Sequence, residues 1–403
     1  MKKVVKFFFL PLFVFSTISL VGCDSNNEQG KAKSLMISEI VDGTERKDIA
    51  IELFNNTNND ISLKNYSSDI QFSEEAVANI PLTGTIGSKE TFVFVHKDAV
   101  SDDLKAKANE FLFIGSEDRN VLYNGKQPIA LKKGNKKIDV VGTWNSFGID
   151  YATDRTLTRK KEFLVARTNF DEYDWIRYNV NEFSYLGTID TSVTEEELLA
   201  GPRLEDKDLN APFSIELENG DYLGGGGVMD VTVSYYVDGD TTGFNYSDLA
   251  EINKLNIQQG AKVRYQNIDT PESYEGNIQR FGIVAKNYTN GILKNAGKIR
   301  VQTTINGAIK DTFNRVLAWV WADEKLVNFE VVKRGYSEVA FGSNDIMIYK
   351  GVSYTSYLYN AMLYAEKQQL GVHGDILGQY GEIDPYWDYE NNHVKDGYKG
   401  NEK

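Results

Sequence analysis

The chain has 403 residues, of which 41% are apolar and 25% charged, and its net charge is −14. That length exceeds one ordinary core and calls for two folded domains, while the acidity argues against a simple electrostatic binder of nucleic acid. A single cysteine, Cys23, excludes an internal disulfide and a thiolate metal cluster. Twenty-three Tyr, with abundant Val, Ile, Thr, Asn and Gly, favour strands and turns over long helices. The charge is unevenly placed: over residues 231–375 Lys plus Arg equals Asp plus Glu, so the acidity belongs to the neighbouring segments.

At the N-terminus Lys2, Lys3 and Lys6 precede an apolar run from Phe7 to Leu20, interrupted by Pro11 and too short for a comfortable membrane span. It ends at Leu20-Val21-Gly22-Cys23, which resembles the bacterial lipobox. The resemblance implies a signal peptide over 1–23, lipid modification of Cys23, and a membrane-anchored lipoprotein on the extracytoplasmic face of a bacterial cell. Two acyl chains suffice for stable anchoring. Residues 24–34 are polar and read as a tether.

Residues 35–190 alternate strand and turn. Residues 36–41 and 48–54 read as strands, Asn55 to Asp60 as a turn, and Asn124-Gly125 and Gly134-Asn135 as hairpin signals. Short strands at this spacing predict an all-β sandwich. Ile37-Ser38-Glu39-Ile40, Ile51-Glu52-Leu53-Phe54-Asn55, Asp139-Val140-Val141-Gly142, Thr156-Leu157-Thr158-Arg159 and Trp175 resemble, in order, the lamin-tail domain. That resemblance implies an immunoglobulin-like sandwich that binds or positions, with a ligand the sequence leaves unknown. The carboxylates here look scattered, and His96 is expected at a surface strand end. Residues 191–227 carry a charged run at Glu195-Glu196-Glu197, Gly201-Pro202, Ala211-Pro212 and four glycines from Gly224. They read as a flexible linker.

From Val228 a strand runs into Val237-Asp238-Gly239-Asp240-Thr241. A second strand carries Arg264 and ends at Asp269-Thr270-Pro271-Glu272, where Pro271 fixes a turn that can aim two carboxylates at one volume. Residues 281–295 predict a helix, 298–304 a strand, and Asp311 to Arg315 a turn into a strand over 316–321. A short helix follows over 326–334, and a last one over 354–370. Two carboxylates can hold a hard cation, a third can act on water and two guanidiniums can grip a phosphate, an inventory that suits phosphodiester hydrolysis. Singly, each residue also has a structural alternative: Arg264 a surface ion pair, Glu272 a turn cap, Arg315 a partner for Asp311.

These motifs, with Phe281-Gly282, Leu317-Ala318, Val327-Asn328 and Gly335, resemble the staphylococcal-nuclease-like (thermonuclease) family over 228–375. The resemblance implies an α+β OB-fold barrel with helices, and a Ca²⁺-dependent endonuclease acting on DNA and RNA to leave 3′-phosphates. Carried over by position, Asp240, Asp269 and the Thr270 carbonyl are expected to ligate Ca²⁺. Arg264, Glu272 and Arg315 are expected to be catalytic, with Glu272 as general base. Phe313 and Phe341 are expected to contact substrate. Departures lie at Thr312 and Phe313, where a Lys-Tyr pair is usual, and at Ser343, where a Tyr would stand. The segment from Thr242 to Lys262 is also longer than the resemblance leads one to expect. Residues 376–403 read as a solvated acidic, Tyr-rich tail, and the chain as a monomer. The alternative is a non-catalytic surface nucleic-acid-binding or adhesin module on the same multidomain fold.

Overall fold

The computed structural model describes residues 34–339, 346–374 and 378–398. The expectations placed on Cys23, on the signal segment and on Phe341 lie outside the described residues.

Two β-sheets build the N-terminal half. Leu35–Asp42 sits inside a six-stranded sheet ordered Trp175–Tyr178, Arg155–Arg159, Leu35–Asp42, Ile49–Asn55, Thr91–His96, Glu110–Leu112, with only the last pair parallel. A four-stranded antiparallel sheet runs Lys136–Val141, Ile129–Lys133, Tyr66–Gln71, Val77–Pro81. Ile37, Ile51, Leu53 and Leu157 of the first sheet share a core with Ile70, Ile80, Ile129 and Leu131 of the second. On the other face of the larger sheet, Val41, Ala50, Val93 and Val95 pack under Phe183 and Leu186. The central strands are thus covered on both faces, which is why Leu35–Asp42 and Ile49–Asn55 are buried at every position.

That double burial corrects two expectations. His96 is fully buried, not a surface residue. Its strand has a neighbour on each side, its ring lies 5.1 Å from that of Phe113, and its Nδ1 accepts from Asp98 N at 3.0 Å. The carboxylates are not all scattered either: Glu39 and Glu52 are register partners on adjacent strands, and both are fully buried.

Residues 191–227 are packed, where composition suggested a flexible hinge. Thr194 and Glu197 form a capping box on helix Glu195–Ala200, and Val193, Leu198 and Phe213 enter the core of the C-terminal half. The four glycines are buried, because other backbone lies against them. A Cβ on Gly224, Gly225 or Gly227 would sit 2.1–2.2 Å from a carbonyl oxygen of Thr304, Pro212 or Ala211. The same core takes in Ile176 and Tyr178 of the first half. Helix Tyr354–Lys367 touches that half through Arg177 over the Tyr359 ring (5.0 Å) and Lys367 with Asp171 (3.3 Å).

The C-terminal half is a closed barrel. Its strand order is Lys262–Tyr265, Thr241–Tyr246, Val228–Tyr236, Ile299–Gln302, Val316–Ala322 and Lys325–Leu326, and a parallel pairing of Val263 with Val316 joins the first strand to the fifth. Such closure with flanking helices is the OB-type arrangement. Helices Gly282–Asn295, Val327–Lys333 and Tyr354–Lys367 cover the barrel, burying Ala285, Leu293, Val331 and Leu358. The tail, expected as a solvated extension, folds back instead. Asp384 is buried, its carboxylate accepting from Phe281 N (2.5 Å) and Tyr386 N (2.8 Å). Glu382 pairs with Arg334 at 2.8 Å.

Candidate active site

The turn between strands Val228–Tyr236 and Thr241–Tyr246 delivers Asp240. Gly239 is needed there because the turn lies against its surroundings: a Cβ would meet Thr270 Oγ1 at 2.8 Å and Ala285 Cβ at 3.0 Å. Thr289 on the covering helix also donates to Gly239 O at 2.7 Å, so the turn is anchored from both sides. Asp240 is buried. Its Oδ2 accepts from Thr270 N (2.7 Å) and Thr270 Oγ1 (3.0 Å), and its Oδ1 faces Arg264 Nη1 (3.0 Å).

Arg264 projects from strand Lys262–Tyr265, whose register partner is Thr241. Its guanidinium is held by four groups: Asp240, Asp269 Oδ1 (2.6 Å from Nη2), Ile268 O (2.7 Å from Nη1) and, at the longer distance of 3.4 Å, Tyr265 O. Asp269 is fixed through its backbone, its N–H donating to Ser337 Oγ at 2.8 Å, while its carboxylate stays 71% exposed. A planar fork gripped by two carboxylates is pre-organised.

Glu272 opens a small hairpin, Ser273–Tyr274 against Asn277–Ile278. The hairpin is closed by Gln279 N donating to Glu272 O and Glu272 N donating to Gln279 Oε1, both at 2.9 Å. Burial raises the Glu272 pKa first, then the charges of Asp240 and Asp269, while Arg264 and Arg315 draw it down. Asp240, Asp269, Arg264 and Arg315 thus all lie within electrostatic reach of the Glu272 carboxylate. Asp238, read from sequence as a turn or supporting residue, accepts from Asp240 N at 3.2 Å. Its carboxyl is pushed up to about 7, first by burial and then by Asp240.

Arg315 leads into strand Val316–Ala322. Asp311 accepts from its Nε at 2.7 Å and from its backbone N at 2.8 Å, so the structural partner anticipated from sequence is present. Its Nη groups carry no hydrogen bond among the described residues, which leaves the fork open toward the site. Phe313, 79% exposed, lies 5.5 Å from that guanidinium. Sequence reasoning missed the strap from Asp384 to Phe281, whose backbone is left-handed (φ 66°) at the start of the helix behind the Glu272 hairpin. No local signal marks it, because the contact spans 103 residues.

Among the described residues no group of three or more His, Cys, Asp or Glu side chains is arranged to hold a metal. The candidate set is smaller, with two carboxylates, Asp240 and Asp269, beside the Thr270 backbone. Its chemistry fits a hard divalent cation: all donors are oxygen, and Asp240, Asp269 and Glu272 outnumber Arg264 and Arg315. The upward push on Glu272 by both aspartates reflects that uncompensated negative charge.

Residues 262–372 match the family model described as staphylococcal nuclease homologue. Over 116 residues the chain is 34% identical to the SPbeta prophage-derived endonuclease YokF of Bacillus subtilis, covering 28% of this chain and 35% of that protein. Over 117 residues it is 31% identical to the thermonuclease of Staphylococcus intermedius, covering 28% and 64%. Over 116 residues it is 31% identical to endonuclease YncB of Bacillus subtilis, covering 28% and 49%. The chain thus spans less than two thirds of the length of each of these relatives. The family match opens at Lys262, so Asp240 enters the site from outside it, across the strand pairing of Thr241 with Arg264. Residues 262–372 form a staphylococcal-nuclease-like domain with thermonuclease and endonuclease relatives.

Proposed function

We propose that the chain is a divalent-metal-dependent endonuclease, with Ca²⁺ as the metal, that hydrolyses phosphodiesters of DNA and RNA. One observation carries the reading. Arg264 is clamped by Asp240 and Asp269, and Glu272 lies within electrostatic reach of all three and of Arg315. In this reading Asp240, Asp269 and the Thr270 carbonyl hold the cation, which when bound supplies Lewis-acid polarisation of the phosphate. Arg264 and Arg315 orient the phosphate and stabilise the charge that builds on its oxygens. Glu272 orients a water and takes its proton, and its raised pKa brings it closer to the pH at which it works. Water attacks phosphorus, the P–O5′ bond breaks, and the products are a 3′-phosphate and a 5′-hydroxyl.

The reading extends to the cell. The Lys-rich, apolar segment ending at Cys23 supports a lipid anchor on the outer face of the membrane. The sandwich at 35–190 is then a lamin-tail-like module that positions the nuclease. Labelling with a radioactive fatty acid tests the anchor: label retained by Cys23→Ser would refute it.

The central test follows cleavage of single-stranded DNA by the full chain with Ca²⁺ and with chelator, and repeats it with Glu272→Gln and Arg315→Ala. The reading expects Ca²⁺-dependent cleavage, lost in both variants, with 3′-phosphate ends. A folded chain that cleaves no nucleic acid under any divalent cation would instead be a surface binding module.

A further inference from the structure

A second feature adjoins Arg315 and is not used by the chemistry above. The segment from Ser247 to Ala261 lies before the family match and beside the Lys310–Val316 turn. It is firmly built. Helix Leu249–Lys254 is capped by Asp248, and Ile252, Leu255 and Ile257 are buried. The Gln259 side chain pairs with the Tyr246 backbone, accepting from its N–H at 2.6 Å and donating to its O at 2.9 Å. Lys310 Nζ ties the segment to the Arg315 turn through Leu255 O (3.2 Å) and Asn256 O (3.3 Å).

Between segment and turn runs a groove of about 360 Å³, a volume within the usual range for small-molecule sites and so large enough for one nucleotide. Its cations are Lys262, Lys310 and Arg315, and no carboxylate lines it, in a chain whose net charge is −14. Its two aromatic rings are Tyr235 and Phe313, and its walls are rich in Asn and Gln. Tyr235 is a fixed platform. Its register partner on the next strand is Gly243, and a Cβ there would sit 2.4 Å from the ring, so the ring lies flat on bare backbone. The side chain remains 43% exposed.

We infer that this groove is a subsite for an unpaired nucleotide next to the scissile phosphate, with the base stacked on Tyr235 and its phosphate held by Lys262. The inference rests on the nuclease reading, because Arg315 joins groove to site. Stacking requires an unpaired base, so the substrate class is single-stranded nucleic acid. Aromatic platforms combined with a basic groove are how proteins hold single strands without reading sequence.

The test compares kcat/KM of the full chain for an octathymidylate and for a dithymidylate, in the parent, Tyr235→Ala, Tyr235→Phe and Lys262→Ala. The parent should prefer the octamer. Tyr235→Ala should lower that preference about 5- to 100-fold through KM, and Tyr235→Phe should restore it. Lys262→Ala should reduce the slope of log affinity against log salt by about 0.7, the value for one phosphate on a single strand. Lys262→Ala also reads the groove independently, should Tyr235→Ala fail to fold. Anisotropy of labelled octathymidylate on Glu272→Gln chains, with and without Tyr235→Ala, keeps the two ideas apart. If the parent cleaves nothing yet Tyr235→Ala weakens this binding, the nuclease reading fails and the subsite stands. Equal binding with and without Tyr235, or an equal loss on duplex DNA, overturns the subsite and leaves the nuclease reading intact.

Discussion

Two arginine–aspartate pairs, one in each half of the molecule, show what separates glue from a site. In the sandwich, Arg159 and Asp139 are 2% and 0% exposed and meet at 2.8 Å. Asp139 also accepts from Ile37 N (2.8 Å) and Arg167 N (2.7 Å). Arg159 spends its remaining donors on Ile37 O and Val165 O, both at 2.9 Å, and packs on the Trp175 ring. Charge is balanced and nothing is left to offer. In the barrel, Arg264 serves two carboxylates, one of them 71% exposed, with Glu272 beside them and a second arginine whose fork is open. A closed, balanced pair holds strands together; an open cluster with surplus carboxylate has room for a ligand.

The contrast can be broken by mutation. Glu272→Gln should lower the cleavage rate about 10²- to 10⁴-fold, the usual worth of a general base. Its thermal midpoint should stay near the parent's, because the half-buried Glu272 carboxylate makes no hydrogen bond or ion pair among the described residues. Asp139→Ala should do the reverse, costing about 3–5 kcal/mol of stability by leaving Arg159 buried and unpaired. Urea unfolding reads that loss, and if Asp139→Ala melts like the parent the pair is not structural glue. An intermediate case is Asp384→Ala, which strips the Phe281 N–H of its buried acceptor at a cost of about 1–3 kcal/mol. Because Phe281 backs the Glu272 hairpin, this variant should lower kcat more than its stability loss predicts. A kcat equal to the parent's at a temperature where both are folded would remove the strap from the mechanism.

The smallest effect concerns the sandwich alone. Glu52, buried, with Ser38 Oγ and Gly187 N donating to it at 2.6 Å, has its pKa raised by burial to about 7, and Glu39 beside it is shifted the same way. In the unfolded chain both carboxyls titrate near 4.3. The folded state therefore holds protons the unfolded state has released. The contribution to stability is present in full below about 4.3 and is lost as pH rises through about 7. Urea midpoints at pH 5 and pH 8 should show that fall, and Glu52→Gln should flatten it. A Glu52→Gln slope equal to the parent's would mean other groups dominate.

Much of the barrel was legible because its signals are local. The spacing from Arg264 to Glu272, the helix periods and the Asp238-Gly239-Asp240 turn each lie within a few residues of chain. In the N-terminal half the strand runs and the Gly134-Asn135 hairpin were equally readable, but Asn124-Gly125 closes no hairpin: Val121–Leu122 pairs back with Gly115–Ser116, and Ile129–Lys133 pairs with Lys136–Val141 and Tyr66–Gln71. What escaped was long-range. His96 does end its strand, but it looks like a surface residue until strands on both sides are known. The glycines 224–227 look loose until Thr304, Pro212 and Ala211 are seen against them. The tail looks solvated because its acids are many, yet Asp384 and Glu382 are taken up by a backbone N–H and by Arg334. Thr194 and Glu197 were local and readable, but the run of three glutamates hid the capping box.

The strap at Asp384 also sets a schedule. Its hydrogen bond to Phe281 spans 103 residues. At the usual pace of synthesis, about 5–20 residues per second, Phe281 precedes its acceptor by on the order of 5–20 s. Throughout that interval the backing of the Glu272 hairpin is incomplete, and closing so long a loop comes late in folding. Nascent chains halted before Asp384 should therefore leave the Phe281 amide open to hydrogen exchange, and chains halted after it should protect it. The backing of the Glu272 hairpin is thus completed only after the Asp384 segment has left the ribosome.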